Sequence, residues 1–194
     1  MNEKEVLSAG IAAIEKQGML LVFPLNNQKE PVSLWSSFHP RSQMKWEWDE
    51  GGDDRVARLW HLREELSRSG KVVYAKWYRG RATFFSKKLF TSALRVLNSG
   101  LEERILKRDL SRAAQTVFEI LQSDSPLSGK MIRKLSELSG KDNEKMYTRA
   151  LKQLWDRLLI VGHGEIDDGA FPSLALGATS VVFERLWSDS LKVS

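Results

Sequence analysis

The chain has 194 residues, a length that allows one large domain or two small ones. Apolar residues make up 42% and charged residues 28%, a composition typical of globular proteins rather than of disordered or fibrous ones. The absence of cysteine excludes disulfides and thiolate metal sites. No apolar stretch approaches the roughly 20 residues of a membrane helix, and the charged start at Met1–Glu5 differs from a signal peptide. We therefore expect a cytoplasmic protein with no membrane contact.

The formal net charge is +5, which mildly favours polyanionic partners. The charges are unevenly placed along the chain. Residues 71–90 contain six cations and no acid, whereas residues 47–54 contain five acids and no base. A basic segment of this kind indicates a candidate surface for nucleic acid.

Hydrophobic spacing in the first half of the chain predicts mixed elements. A helix is expected over 3–16, a short buried strand over 19–25, a short helix over 32–38 and a longer helix over 54–69. Glycines at positions 18 and 70 are suited to end the first and last of these helices. Further helices are expected over 89–97 and 101–107.

Two β-rich runs, 71–78 and 81–86, enclose Arg79-Gly80 and predict a hairpin. Its cations Lys76, Arg79 and Arg81 could hold phosphates while Trp77, Tyr78 or Phe85 stacks on a base. The alternative is that Val73, Ala75, Trp77 and Phe84 face a core, with the cations on the solvated side.

The second half predicts three helices followed by a hairpin, the order of a winged helix. The helices are expected over 110–121, from the Ser128 cap to Leu138, and from a cap at Asp142 or Asn143 to Leu158. A strand over 158–164, a turn at 167–169 and a return strand over 170–174 complete the pattern.

The third of these helices has two chemically different faces. Its expected inward stripe contains Met146, Ala150, Leu151, Leu154, Trp155 and Leu158. Its other face contains Lys141, Lys145, Thr148, Arg149 and Lys152. Long cations on a stripe free of bulky apolar groups are what a recognition helix needs to reach phosphates and guanine edges.

The fold class expected from these elements is α+β. A mixed N-terminal subdomain with the basic hairpin would cover residues 1–100, and a winged-helix domain would cover residues 101–194. Because a helix followed by a hairpin occurs at 54–86 and again at 143–175, tandem winged-helix-like units are the alternative.

The stretch Leu151–Val161 with the 164–173 wing resembles winged-helix units of bacterial proteins related to the AlkZ/YcaQ DNA glycosylases. The segment Trp77–Ser86 is similar to a Tyr-x-Arg-Gly-Arg-like strand in members of that group. The resemblance implies tandem winged helices and association with nucleic acid. Those glycosylases have a Gln-x-Asp or Gln-x-Gln catalytic motif. We find no match to it in this chain, since the nearest fragments, around Gln43 and Gln122, are taken not to fit, and glycosylase activity is therefore not implied.

Three other patterns favour structural explanations over chemistry. His61 with Glu64 and Glu65 lacks the second histidine of a zincin motif, so a helix-surface pair is expected rather than a zinc site. The acids at 47–54 together with Lys76 would suit a metal-dependent nuclease only if they converged, and a helix N-terminal loop explains them as well. The tryptophans Trp35, Trp46, Trp48 and Trp60 indicate a packed subdomain rather than a ligand box.

The function expected from the sequence is non-enzymatic binding of double-stranded nucleic acid, DNA being favoured. We expect no catalytic residue, no metal and no cofactor. Two alternatives stay open. In one, the winged helix is an interaction module for a partner protein or for a second copy in a homodimer. In the other, the protein is a glycosylase-like DNA-repair enzyme.

Overall fold

The computed structural model describes residues 2–46, 54–98, 109–169 and 171–192. The chain divides into two compact units, Met1–Leu89 and Phe90–Ser194. Both contain helices and antiparallel strands, so the expected α+β class is confirmed. The expected domain boundary at residues 100 and 101 and the helix at 101–107 lie outside the described residues.

Within its described residues, the first unit contains three α-helices and three short strands. The helices are α1 (Glu3–Gln17), α2 (Leu34–Phe38) and α3 (Asp54–Arg68), and the strands are β1 (Met19–Leu21), β2 (Val73–Lys76) and β3 (Ala82–Phe85). Strand β3 lies between β1 and β2 and pairs antiparallel with both. The predicted hairpin is therefore present. The strand expected over 19–25 is shorter: it ends at Leu21, and a 3-10 turn occupies Leu25–Asn27.

Local sequence explains the helix ends of this unit. Asn2 and Glu5 form a capping box at the start of α1, and Gly18 ends the helix with φ at 78°. Ser33 caps α2 in the same reciprocal way with Ser36. The left-handed backbone at position 18 is accessible to glycine at little cost, which explains why the helix stops there.

Aromatic side chains pack within the first unit. Trp35 is buried, and its indole Nε1 donates to the Ser42 carbonyl at 2.9 Å. The Phe23 ring centroid lies 5.2 Å from that of Trp46 and 6.2 Å from that of Trp60. Trp35 is packed in the core as the packing interpretation expects, whereas Trp46 is only partly buried and Trp60 is 49% exposed in spite of its ring contact. Trp48 lies outside the described residues.

Helix α4 (Lys87–Asn98) crosses the boundary between the units. In the part of the second unit that the structure describes, five more α-helices and three strands follow. The helices are α5 (Arg112–Ser123), α6 (Gly129–Leu135), α7 (Glu144–Asp156), α8 (Thr179–Val182) and α9 (Glu184–Lys192). The strands are β4 (Leu127–Ser128), β5 (Ile160–Ile166) and β6 (Ser173–Ala178). Strand β6 pairs antiparallel with both β4 and β5.

Helices α5 and α7 pack on β5 and β6 around one apolar core. The fully buried side chains include Val117, Phe118, Ile132, Leu154 and Ile160. The elements follow one another in the order α5, β4, α6, α7, β5, β6. The order is helix, short strand, helix, helix and hairpin.

Several expectations for the second unit were wrong in detail. Helix α6 ends at Leu135 rather than Leu138, because Glu137 has a left-handed φ of 58° that a helix cannot continue through. A 3-10 turn at Lys141–Asn143 then precedes α7. Asn143 occupies the expected cap position but makes no side-chain cap hydrogen bond; its amide instead donates to the Ser139 carbonyl at 3.0 Å.

The expected inward stripe of α7 is also corrected at one position. Met146 is 51% exposed, whereas its neighbour Tyr147 is buried. The Tyr147 hydroxyl lies 3.4 Å from the Gly129 carbonyl, and the Arg133 guanidinium stacks over its ring at 4.0 Å. A buried tyrosine is tolerated when its hydroxyl finds a partner, and this arrangement turns Met146 outward.

No helix within the described ranges is long and apolar enough to span a membrane. Within the same ranges, no group of three His, Asp or Glu residues is placed to hold a metal ion.

Candidate nucleic-acid interface

The cationic stripe of α7 is defined here as Lys145, Thr148, Arg149 and Lys152. All four residues are exposed. Their spacing of three, one and three residues places them on one side of a helix that has about 3.6 residues per turn. The buried residues Ala150 and Leu154 lie on the other side. The helix therefore has an apolar face in the core and a cationic face in solvent, as the sequence predicted.

Intramolecular acids neutralise only part of this surface. The Lys152 ammonium pairs with the Asp156 carboxylate one turn later, and both side chains stay largely exposed. Glu144 at the start of the helix pairs with Arg133 at 3.0 Å rather than with the stripe. Lys145 and Arg149 have no ion pair with an acid in the described ranges. They are the members of the stripe most available to an external anion.

Lys141 lies just before α7, in the 3-10 turn, and is exposed. The structure thus brings four of the five predicted α7 residues onto one helical face and places the fifth at its N-terminal end. The positive end of a helix dipole favours anions near that end.

The three hairpin cations lie around the β2–β3 turn of the first unit. Lys76 ends β2, Arg79 is in the 3-10 turn with φ at 51°, and Arg81 directly precedes β3; all three are exposed. The Arg79 guanidinium lies 5.6 Å from the Tyr78 ring centroid. Strand residues Val73, Ala75 and Phe84 are buried, as the core alternative predicted.

Lys76 has an altered ionisation. Partial desolvation, with the nearby Arg63 guanidinium as a second cause, lowers the pKa of its ammonium. Arg63 itself is buried, with its guanidinium 4.1 Å from the Trp60 ring centroid. Two cations thus influence each other at this edge of the first unit, and a bound phosphate would relieve their repulsion.

The end of the β5–β6 hairpin contains an arrangement that sequence reasoning missed. The Asp168 carboxylate accepts hydrogen bonds from the Ser128 and Ser173 hydroxyls, the latter at 3.2 Å. The Lys130 ammonium donates to the Asp168 carbonyl at 2.9 Å. The hydrogen bond from Ser128 is the main cause that lowers the pKa of Asp168. The turn is therefore tied to the start of α6.

Part of this arrangement had a sequence signal. Ser128 was expected to cap α6, and its hydroxyl accepts from the Met131 amide at 3.1 Å. Asp167-Asp168-Gly169 was expected as the turn of the wing. Their pairing across 40 residues had no signal in the sequence, because neither local spacing nor composition encodes it.

One sequence expectation about catalysis needs correction. Gln122-Ser123-Asp124 does spell Gln-x-Asp, so the literal triplet is present. Gln122 lies in the last turn of α5, and Asp124 is the exposed residue after that helix. A three-residue match on an exposed helix end does not by itself assemble a catalytic site.

Comparison with known proteins gives one match. The model of the family described as AlkZ related matches residues 7–184, which is most of the chain. No curated protein and no solved structure matches. The chain therefore belongs to the AlkZ-related family, and the resemblance drawn from Leu151–Val161 and Trp77–Ser86 is confirmed.

Proposed function

We propose that this AlkZ-related protein binds double-stranded DNA without catalysing a reaction, and that its second unit acts as a winged helix with α7 as the recognition helix. The observation that carries the proposal is the cationic stripe, which is exposed on the side of α7 opposite the core. The family match supports an association with DNA.

The order of elements supports the winged-helix interpretation. Helices α5, α6 and α7 precede the β5–β6 hairpin, and the two-residue strand β4 pairs with β6. In proteins with a helix-turn-helix, the last helix of the motif enters the major groove. Helix α7 has that position in the chain, and the hairpin after it would be the wing.

The dimensions of the stripe suit this role. A helix with its side chains is about 10–12 Å across, which fits the major-groove width of about 12 Å. From Lys145 to Lys152 the helix rises about 10 Å, so the stripe extends over about two helical turns. Arg149, near the centre, is the residue we assign to a base edge, because its fork of donors matches guanine O6 and N7. Lys145 and Lys152 would contact base edges or phosphates at the two ends, with Thr148 and Lys141 on phosphates.

The basic hairpin would add contacts to the DNA backbone. Lys76, Arg79 and Arg81 are exposed around one turn. Phosphate contacts position a protein on the duplex and carry no sequence information directly. We therefore assign sequence preference to α7 and non-specific attraction to the hairpin.

The test is the salt dependence of duplex binding, measured by fluorescence anisotropy with a labelled mixed-sequence duplex between about 50 and 200 mM salt. The wild type should bind with an affinity that falls linearly on a log–log plot, because phosphate neutralisation releases counterions. Arg149→Ala combined with Lys152→Ala should weaken binding and make the slope shallower by about 1 to 2.

The matched control is Arg185→Ala combined with Lys192→Ala on α9. It removes the same two residue types and the same net charge, and both side chains are exposed. If the control weakens binding as much as the α7 variant does, the loss of affinity reflects the net charge of the protein and not the position of the stripe. A binding curve for the α7 variant that matches the wild type across the salt range would remove the stripe from the interface.

A second candidate is an interaction module that pairs two copies of the chain. It is favoured by Met131 and Leu135, which are 43% and 48% exposed one turn apart on α6. Sedimentation of the wild type and of Met131→Ser with Leu135→Ser tests it. If the wild type is a dimer that the variant dissociates, and if the wild type binds no duplex, the pairing module is favoured over DNA binding.

A further inference from the structure

Lys76 is an accessible amine without an acidic partner. It ends β2 and is exposed, so a small molecule can reach its nitrogen. Its partner across the strand pair is the apolar Ala82. The charged group that acts on it within the described ranges is a cation, Arg63, and no acid does so. No carboxylate in that part of the chain therefore holds this amine in its protonated form.

The second cation belongs to a cluster on the same side of the strand. Side chains two residues apart on a strand point to the same face, so Lys76 and Tyr74 share one. The Arg63 guanidinium lies 5.8 Å from the Tyr74 ring centroid and 4.1 Å from that of Trp60. Arg63 itself is buried on α3. Lys76 therefore lies at the edge of a cluster that holds a buried cation and two aromatic rings.

These surroundings favour the uncharged amine. Partial desolvation and, secondly, the Arg63 charge lower the pKa of Lys76, because both disfavour the ammonium form. An uncharged amine is a nucleophile, and lysines that are desolvated or lie next to another cation attack carbonyl carbon in this form. The position therefore suits attack on a small carbonyl compound.

The buried guanidinium favours one class of such compounds. An aldehyde would leave an imine, whose protonated nitrogen keeps a positive charge beside Arg63. Carbon dioxide would leave a carbamate, whose negative carboxylate can accept charge-assisted hydrogen bonds from a guanidinium. Of the two products, only the carbamate converts the repulsion between the two side chains into attraction.

We propose that Lys76 reacts with carbon dioxide to form a carbamate beside Arg63. The ammonium loses a proton to water, the amine nitrogen attacks the carbon of carbon dioxide, and a second proton leaves as the N–C bond forms. No oxidant, reductant or leaving group takes part, and the side chain changes from a cation to an anion. This change would weaken the attraction of the hairpin for DNA. That consequence rests on the proposed function, whereas the reaction does not.

The test uses the full chain at constant pH and ionic strength, in buffer equilibrated with carbon dioxide and bicarbonate and in buffer freed of both. Triethyloxonium ion traps carbamates as ethyl esters, which peptide mass spectrometry assigns to individual lysines. The trapped ester should form at Lys76 in the first buffer only. Lys71, an exposed lysine before the same strand, is the internal control and should stay unmodified. No ester at Lys76, or equal amounts at both lysines, would overturn the proposal.

Anisotropy with the labelled duplex measures the consequence in the same two buffers. Carbon dioxide should weaken wild-type binding by roughly two- to five-fold and make the salt slope shallower by about 1. Lys76→Arg keeps the positive charge but forms no carbamate, because the guanidinium stays protonated. This variant should bind equally in both buffers.

The two measurements separate this inference from the proposed function. If the ester forms at Lys76 and binding does not change, the carbamate stands and the hairpin lies outside the DNA interface. If the wild type binds no duplex in either buffer, the proposed function fails, while the trapped ester still decides the modification. If carbon dioxide weakens binding by Lys76→Arg as much as by the wild type, another group causes the response and the assigned role of Lys76 in it is overturned.

Discussion

The molecule contains two cationic regions that differ in construction. In the stripe of α7, cations project from one face of a 13-residue helix whose other face is in the core. In the basic hairpin, Lys76, Arg79 and Arg81 surround a 3-10 turn with a left-handed residue. The stripe has the regular spacing that can follow a groove, whereas the hairpin is a local concentration of charge.

The difference also extends to the environment of the cations. Lys145 and Arg149 are exposed on the outer face of the helix. Lys76 is partly desolvated near Arg63, and Arg79 lies over the Tyr78 ring. A cation that already interacts with an aromatic ring gains less free energy from a contact with a phosphate. Charge content alone would therefore predict equal contributions to DNA binding from the two regions. Their geometry predicts the larger contribution from the stripe.

The largest effect is expected at the centre of the stripe. Arg149→Ala should cost about 1–3 kcal/mol of binding free energy and relax the preference for guanine at one position, because a bidentate base contact is lost. Competition binding against a panel of duplexes that differ at single base pairs measures both. Arg185→Ala on α9 is the control, and an equal loss in that variant would contradict the ranking.

A smaller effect is expected in the hairpin. Arg79→Ala should cost about 0.2–1 kcal/mol, the range of exposed ion pairs, and should weaken binding to all duplexes alike. Lys16→Ala on α1, an exposed cation of the same unit, is the control. A loss larger than that of Arg149→Ala, or a changed base preference, would reverse the comparison between the two regions.

A gain in affinity is expected when the acid beside the stripe is neutralised. Asp156→Asn removes the partner of Lys152 and should strengthen duplex binding by about 0.2–0.5 kcal/mol, the energy of an exposed pair one helical turn apart. In the double variant with Lys152→Ala the gain should vanish. Anisotropy titrations of Asp156→Asn, Lys152→Ala and the double variant measure this coupling. A gain that persists without Lys152 would show that Asp156 acts on the duplex directly.

The smallest effect concerns Lys76. Its folded-state pKa is lowered, so above this value the unfolded chain binds the proton more strongly than the folded one. Folding stability should therefore rise with pH through the window between the lowered pKa and the ordinary value of 10.5. Urea unfolding at neutral and alkaline pH should show this rise relative to Lys76→Met. Equal pH profiles for the two proteins would exclude the proposed desolvation.

The sequence predicted the elements with strong periodicity. Helices α1, α3 and α5 were anticipated to within two residues, because apolar side chains at helical spacing must be buried on one face. The stripe of α7 followed from the same rule. The length of α6 did not, since its end depends on a left-handed Glu137 that nothing in the local composition requires.

Features that depend on contacts through space could not be predicted. Strand β4 has two residues and exists through its pairing with β6. Tyr147 lies in the core in place of Met146, because its hydroxyl contacts the Gly129 carbonyl and its ring packs against the Arg133 guanidinium. Both partners lie on another helix, α6. The hydrogen bonds of Asp168 to Ser128 and Ser173 likewise appear only once the hairpin has folded onto α6.

Binding of DNA by this protein depends, in our proposal, on contact between the outward face of α7 and the duplex. A titration of unlabelled duplex into nitrogen-15-labelled protein, followed by amide and arginine Nε–H chemical shifts, tests it most directly. The largest shifts are expected at Lys145, Thr148, Arg149 and Lys152, with smaller ones at the 78–81 turn. Large shifts confined to the first unit, with the Arg149 side-chain signal unmoved at saturation, would contradict it.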